Sequence, residues 1–395
     1  MKNNSDNQQN TQSNVGKIKS GLRFTRFVLL FLMAVAAIVL IFSNRDKINM
    51  DNFKRLAAKI DLGISREKES DNSVIDFDYD SSGKIAVYKD GIARVTSENL
   101  VIMDNIGTQF QSVLTGFNTP ALVTTDKYVM AFDRGGKRLI VTNSFTVLFD
   151  TIFEDNIVTA TMNENGYIAV VTESEAYKNK LIVYNSSFKE VYRINSLSRY
   201  IVDAQVSQNN KLVAVSSLYV KDADVIPQIN YYKLTSDESL WNCNYKDSVA
   251  VSIKTKNDGS ICSIFEWGLV VLDSKGQEKF KYEFGNKILQ SCYIDKAKYN
   301  IAVVSESISG NSQILAFTNK GKQICDLKLD TNVLSIDVYE DRMAVLFRDK
   351  ICIYSISGKL LFERDNPNDA TQILFSDKNS VMLVSSSSVV YNLLN

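Results

Sequence analysis

The sequence predicts an all-β fold, a β-propeller of four-stranded blades preceded by one N-terminal transmembrane helix. Three observations predict it. One short apolar strand pattern recurs at intervals of about 40 to 50 residues, the signature of propeller blades. A second hairpin follows the recurring strand in most copies. Upstream, Phe27 to Phe42 (FVLLFLMAVAAIVLIF) forms an uninterrupted apolar run.

Residues 1–26 carry Lys2, Lys17, Lys19, Arg23 and Arg26 against Asp6 and are otherwise rich in Asn, Gln and Ser. With no apolar cluster to bury, this cationic tail reads as disordered. Residues 27–43 read as a membrane anchor. Sixteen apolar residues reach about 24 Å at 1.5 Å per residue, and flanking Arg26 extends that reach by snorkelling. A cleaved signal peptide fits less well, since Ile41-Phe42-Ser43 offers one small residue where cleavage requires a small-residue motif. Basic residues flank the run on both sides, so charge asymmetry does not fix topology. The expectation is a cytoplasmic N-terminus and an extracytoplasmic propeller, because a long C-terminal domain crosses regardless of its charge.

Residues 44–71 form a juxtamembrane stalk. Within it Asp51 to Gly63 places Phe53, Leu56, Ala57 and Ile60 on one helical face, with Asp51 positioned to cap and Gly63 to end the helix. The propeller follows over 72–395. Its marker residues are Ile85, Val129, Ile168, Val213, Cys262, Ile301, Met343 and Met382. Eight markers give eight blades, with seven as the alternative. The second hairpins begin at Leu181, Leu269, Ile314 and Ile351 in four copies, each a strand, a polar turn and an outer strand of alternating character. The last copy ends at Tyr391-Asn392 without an outer strand, while Ser73 to Tyr79 (SVIDFDY) stands unpaired at the other end. That strand is expected to complete the last blade, leaving no open edge. Pro120 and Pro367 are expected between blades, and Pro227 within an insertion, Ser217 to Ile229, of the fourth.

Composition narrows the chemistry. The chain has no histidine, which excludes Ser-His-Asp and Cys-His catalysis and histidine metal ligation. Beyond residue 26 there remain 40 basic and 44 acidic residues, so no basic footprint marks a nucleic-acid partner. Cys243, Cys262, Cys292, Cys325 and Cys352 contain no C-x-x-C pair and are odd in number. They read as buried free thiols rather than a zinc site or a disulfide framework.

Several loops carry candidate chemistry. Asp133-Arg134-Gly135-Gly136-Lys137 pairs a backbone that tolerates close approach with two cations able to grip an anion; its other reading is a tight hairpin with solvated charges. Asp76, Asp78 and Asp80, followed by Ser81, Ser82 and Gly83, suggest a calcium loop, but Lys89 stands where an EF-hand needs glutamate. Trp267, in Glu266-Trp267-Gly268, would stack on a sugar or else pack. Glu173, Glu175, Tyr177 and Lys178 would serve acid/base chemistry, or simply solvate a loop.

The repeats lack the Gly-His and Trp-Asp marks of ordinary WD repeats. The anchor, then TPALVTTDKYVMAFDRGGKRLIVTNS and NGYIAVVTESEAYKNKLIVYNSSFKEVY, resemble a family of single-pass membrane-anchored WD40-like and quinoprotein-like β-propeller proteins of Gram-positive (clostridial) bacteria. The resemblance covers roughly residues 25–395 and implies fold, anchoring and an extracytoplasmic propeller; the family has no assigned activity. Together these readings point to a non-enzymatic binding or scaffolding module at the cell envelope, without a cofactor, that takes a protein partner, with a glycan as another ligand class. An envelope enzyme acting on glycan or cofactor and a ligand sensor are the alternatives.

Overall fold

The computed structural model describes residues 73–395 apart from 79, 81–82, 222–223, 247, 295–297, 309, 367–368 and 395, together with Val28, Phe31, Met33, Asp51, Lys54 and Arg55. The chain divides into two units, 1–65 and 66–395. In the first, Val28, Phe31 and Met33 are helical and exposed, and Asp51, Lys54 and Arg55 are helical. Among the described residues no helix is long and apolar enough to cross a membrane. Most of the expected anchor, and the apolar face of the stalk helix, lie outside the described residues.

The second unit is a ring of eight four-stranded antiparallel sheets. Alternation of short β-branched runs with polar turns produces the strands, and each sheet buries both faces against its neighbours. In blades one to seven the chain runs outward, strand by strand, from the central channel. The innermost strands are Lys84–Tyr88, Pro120–Thr124, Ile157–Met162, Arg199–Val206, Ala250–Thr255, Ile288–Ile294, Ser335–Tyr339 and, in blade eight, Gln372–Asp377. Second strands such as Val129–Asp133, Ile168–Thr172 and Ile261–Phe265 are buried throughout. Outer strands alternate, as in Glu278–Glu283, because one face meets solvent.

Eight apolar clusters fill the eight blade interfaces. Blade eight closes the ring by recruiting Val74–Asp76, which pairs with Ser388–Leu393 through Val74↔Val390, Ile75↔Val389 and Asp76↔Ser388. Ile75 then packs with Ile92, Met382 and Val389 between blades eight and one. The expected closure and the count of eight are therefore both present. Inner edges are tied across blades by polar side chains. Thr161 Oγ1 donates to Ala204 O at 2.5 Å, and Asp337 Oδ2 accepts from Phe375 N at 2.7 Å. Such bonds satisfy backbone groups that no fifth strand pairs.

Two expectations need correction. The first marker, Ile85, lies in an innermost strand, whereas the other seven lie in second strands. Its true counterpart is in Gly91–Val95, because two similar β-branched runs sit either side of the two-residue turn Lys89-Asp90. Pro120 does not lie between blades. It opens the innermost strand of blade two, opposite Asp133, at a strand's first position where a missing N–H is tolerated. The insertion Ser217 to Ile229 takes the form of a lengthened hairpin: Leu212–Lys221 and Asp224–Lys233 are two ten-residue strands that pair along their whole length, the second including Pro227. Pro367 lies outside the described residues.

Candidate docking face and the loops above the channel

Antiparallel order within each blade puts two kinds of connection at one end of the ring: turns between second and third strands, and crossings from one blade to the next. We call this the upper end. Asp78, Asp80 and Gly83, Asp133 to Lys137, Glu173 to Lys178 and Glu266-Trp267 all lie there. Ser73 enters at the lower end, its Oγ donating to Asn105 O in the turn between third and fourth strands of blade one.

In blade two, buried Asp133 shapes its loop. Its Oδ1 accepts from Asn118 N at 2.9 Å and Thr119 N at 2.7 Å, pinning the crossing from blade one. Gly135 adopts φ +80°, where a side chain is strained, and its N–H donates to Ile157 O of blade three. A Cβ on Gly136 would stand 2.1 Å from Asp133 Oδ2. Lys137 Nζ is held by Glu154 O at 2.7 Å. Thus the two glycines serve the turn and the blade contact. Arg134 remains exposed and, with Lys254, is one of the positive charges acting on Asp203. Asp203 sits on the innermost strand of blade four. Burial pushes its carboxyl up to about 6, opposed by Lys254 and by backbone N–H groups of Ala204 and Ile253.

The other sequence candidates separate. Asp78 O accepts from Arg94 Nη2 at 2.8 Å, and Asp80 Oδ2 accepts from Ser97 N at 3.3 Å. Arg94 also lies over the Phe77 ring, 4.3 Å from its centroid. Asp76 is exposed on the closing strand, and among the described residues no three carboxylates or thiols gather as a metal-binding group. Trp267 stacks on Phe265, with ring centroids 4.8 Å apart, while Lys281 covers its ring, so the indole packs rather than presenting a free face. Glu173 accepts from Asn156 Nδ2 and orders a loop. All five cysteines are free and lie on strands; burial pushes Cys262 up to about 12 and Cys325 and Cys352 to about 11.

Sequence reading did not single out the apolar side chains of the upper end. Leu197 and Tyr200, Val220 and Val225, Val251, Ile288, Ile308 and Leu334 follow one another from the crossing into blade four to the crossing into blade seven, all exposed. Leu197 is 73 % exposed and Ile308 82 %. Leu114, 78 % exposed, and Ile152, 72 % exposed, end the outer strands of blades one and two at the same upper end, whereas the upper ends of blades seven and eight show no exposed large apolar residue among the described residues. The one available signal was apolar residues within otherwise polar connections, a pattern that says nothing about which end of the ring they share.

A model of the DUF5711 family, described as a family of unknown function, matches residues 65–390. The chain belongs to the DUF5711 family. No curated protein matches it in sequence. Among solved structures the propeller is similar to BamB from Moraxella catarrhalis, at 12% identity, covering 82% of this chain and 99% of that one with a TM-score of 0.54. It is also similar to the C-terminal WD40 domain of Sif2, at 13% identity, 81% and 97% coverage and a TM-score of 0.60. The Dos1 propeller matches at 10% identity, 82% and 93% coverage and 0.52. At these identities the likeness establishes the fold: a propeller shared with BamB and WD40 proteins.

Proposed function

We propose that this DUF5711 protein is a membrane-anchored β-propeller that acts as a non-enzymatic docking module at the cell envelope, engaging a protein partner through its upper face. The observation that carries the reading is the succession of exposed apolar residues along the upper end, from Leu197 to Leu334, with Leu114 and Ile152 at the upper ends of blades one and two. Large aliphatic side chains gathered in this way are characteristic of interaction surfaces, whereas singly scattered ones are ordinary. The chain enters the ring at the opposite end. Residues 27–43 supply the anchor, with the cationic tail in the cytoplasm and the propeller outside, in line with the resemblance to anchored clostridial propellers.

Crosslinking in intact native cells, affinity recovery of the full-length protein and mass spectrometry test the proposal. A protein partner recovered reproducibly and lost on Ile308→Glu with Leu197→Glu supports it. Recovery of no protein above control would overturn it. Protease treatment of intact cells tests the topology: a propeller that survives uncleaved, yet is cut after permeabilisation, places it inside and refutes the extracytoplasmic assignment.

A further inference from the structure

A cleft of about 300 Å³ lies between blades three and four. Its walls include Ile194 and Ser196 on the outer strand of blade three, and Ile201, Val215 and Tyr232 on blade four, with Arg199 near the upper end. This size lies at the lower limit of small-molecule and peptide side-chain pockets. Its apolar wall continues toward the exposed Leu197 and Tyr200.

The polar groups of the cleft are unevenly used. Arg193 is engaged by both carboxylate oxygens of Glu190, at 2.8 and 2.7 Å. Arg199 is different. Its Nε donates to Gln228 Oε1 at 3.0 Å and its guanidinium lies 5.3 Å from the Tyr219 ring centroid, but neither terminal nitrogen meets an acceptor among the described residues. The hydroxyl of Tyr232 has no hydrogen-bond partner among them either, whereas the neighbouring Tyr192 hydroxyl is bonded to Ser236 O at 2.9 Å. Arg199 and Tyr232 both line the cleft; burial raises the Tyr232 hydroxyl above its ordinary value and the Arg199 charge pulls it back. Asp237, in the turn between the third and fourth strands of blade four, lines the lower end.

We infer that this cleft binds a carboxylate carried on an aliphatic peptide segment of the docked partner, with Arg199 and Tyr232 donating to the carboxylate and Ile194, Ile201 and Val215 receiving the aliphatic chain. The inference rests on the docking reading above. A planar guanidinium with two unspent donors suits a carboxylate, and a preset aromatic shelf under it lowers the ordering cost. Asp237 repels an anion at the lower end and so fixes the direction in which the segment lies. The carboxylate is either a chain terminus or an acidic side chain, and both sources meet the same donors.

The test is a ligand-observed NMR titration of the full-length protein in detergent with three acetylated tripeptides: Ala-Val-Leu as its free acid, the same peptide as its amide, and Glu-Val-Leu as its amide. At least one carboxylate peptide is expected to bind tenfold or more tightly than Ala-Val-Leu amide, and the tighter of the two identifies the source. Arg199→Gln should remove the preference, Tyr232→Phe should weaken binding several-fold, and Ser198→Trp, which obstructs the mouth from an exposed position, should abolish it. Equal binding of acid and amide, or no acid bound more tightly than about 1 mM, would overturn the assignment. Hexanoate binding as tightly as the peptide acid would also overturn it in favour of free fatty acids. Undiminished partner recovery from cells carrying Arg199→Gln would refute the cleft alone; loss of recovery only with the upper-face variants would leave the docking face standing.

Discussion

Truncating Ile75 should loosen the whole ring, although only three residues of its strand are paired. Ile75 is 6 % exposed and packs between blades eight and one, whereas its neighbour Val74 is 52 % exposed on the same strand. Removing a buried isoleucine's outer carbons costs about 2–5 kcal/mol through lost burial and the cavity left behind. The lower part of that range suits a strand near an open rim, giving about 3 kcal/mol. Val74→Ala should stay within about 0.5 kcal/mol. With a urea dependence of about 3 kcal/mol per M for a domain of this size, Ile75→Ala should move the unfolding midpoint down by about 1 M. Opening would also bare the edge of Ser388–Leu393, so aggregation before unfolding should accompany the shift. Coincident midpoints for Ile75→Ala, Val74→Ala and the parent protein would refute the view that this strand closes the ring.

Other outcomes follow from individual side chains. The folded Asp203 carboxyl titrates at about 6, above the ordinary aspartate value, so the folded state holds its proton more tightly than the unfolded one. Stability should therefore fall as pH rises from about 4 to 6, and Asp203→Asn, read by thermal melts across that range, should flatten the dependence and stabilise at pH 7 by about 1–3 kcal/mol. Gly136→Ala forces its Cβ onto the Asp133 carboxylate and should cost about 2 kcal/mol in chemical denaturation, while Arg134→Ala, at an exposed position, should be near neutral. Cys262, Cys325 and Cys352, buried with raised thiol values, should resist alkylation at pH 8 until the protein unfolds, as mass spectrometry of pulse-labelled samples would reveal.

The propeller was legible because its information is local and repeated: β-branched runs, polar turns, and a spare strand before the first copy that matches the missing outer strand of the last. Where reading failed, two local patterns were alike. Lys84–Tyr88 and Gly91–Val95 are both short, β-branched and adjacent, so sequence alone could not tell the innermost strand from the second. Pro227 hid the long hairpin for another reason: a proline within a run argues against a strand, yet here it sits in a paired ten-residue strand, and its carbonyl also accepts from Tyr245 N. The loop candidates did reach one end of the ring, but their roles turned on tertiary contacts. The glycines beside Asp133 serve its bonds to the preceding crossing, and Trp267 packs on Phe265. Arg199 and Tyr232 share a cleft only because the long hairpin of blade four folds back beside the outer strand of blade three.

Replacing single residues with a photocrosslinking amino acid in native cells tests the docking face most directly. Ile308 and Val225 at the upper end would be compared with Leu361, an exposed apolar residue at the lower part of blade seven's outer strand. The account predicts one and the same protein adduct from Ile308 and Val225 and none from Leu361. Adducts of equal yield from all three positions, or from Leu361 alone, would contradict it.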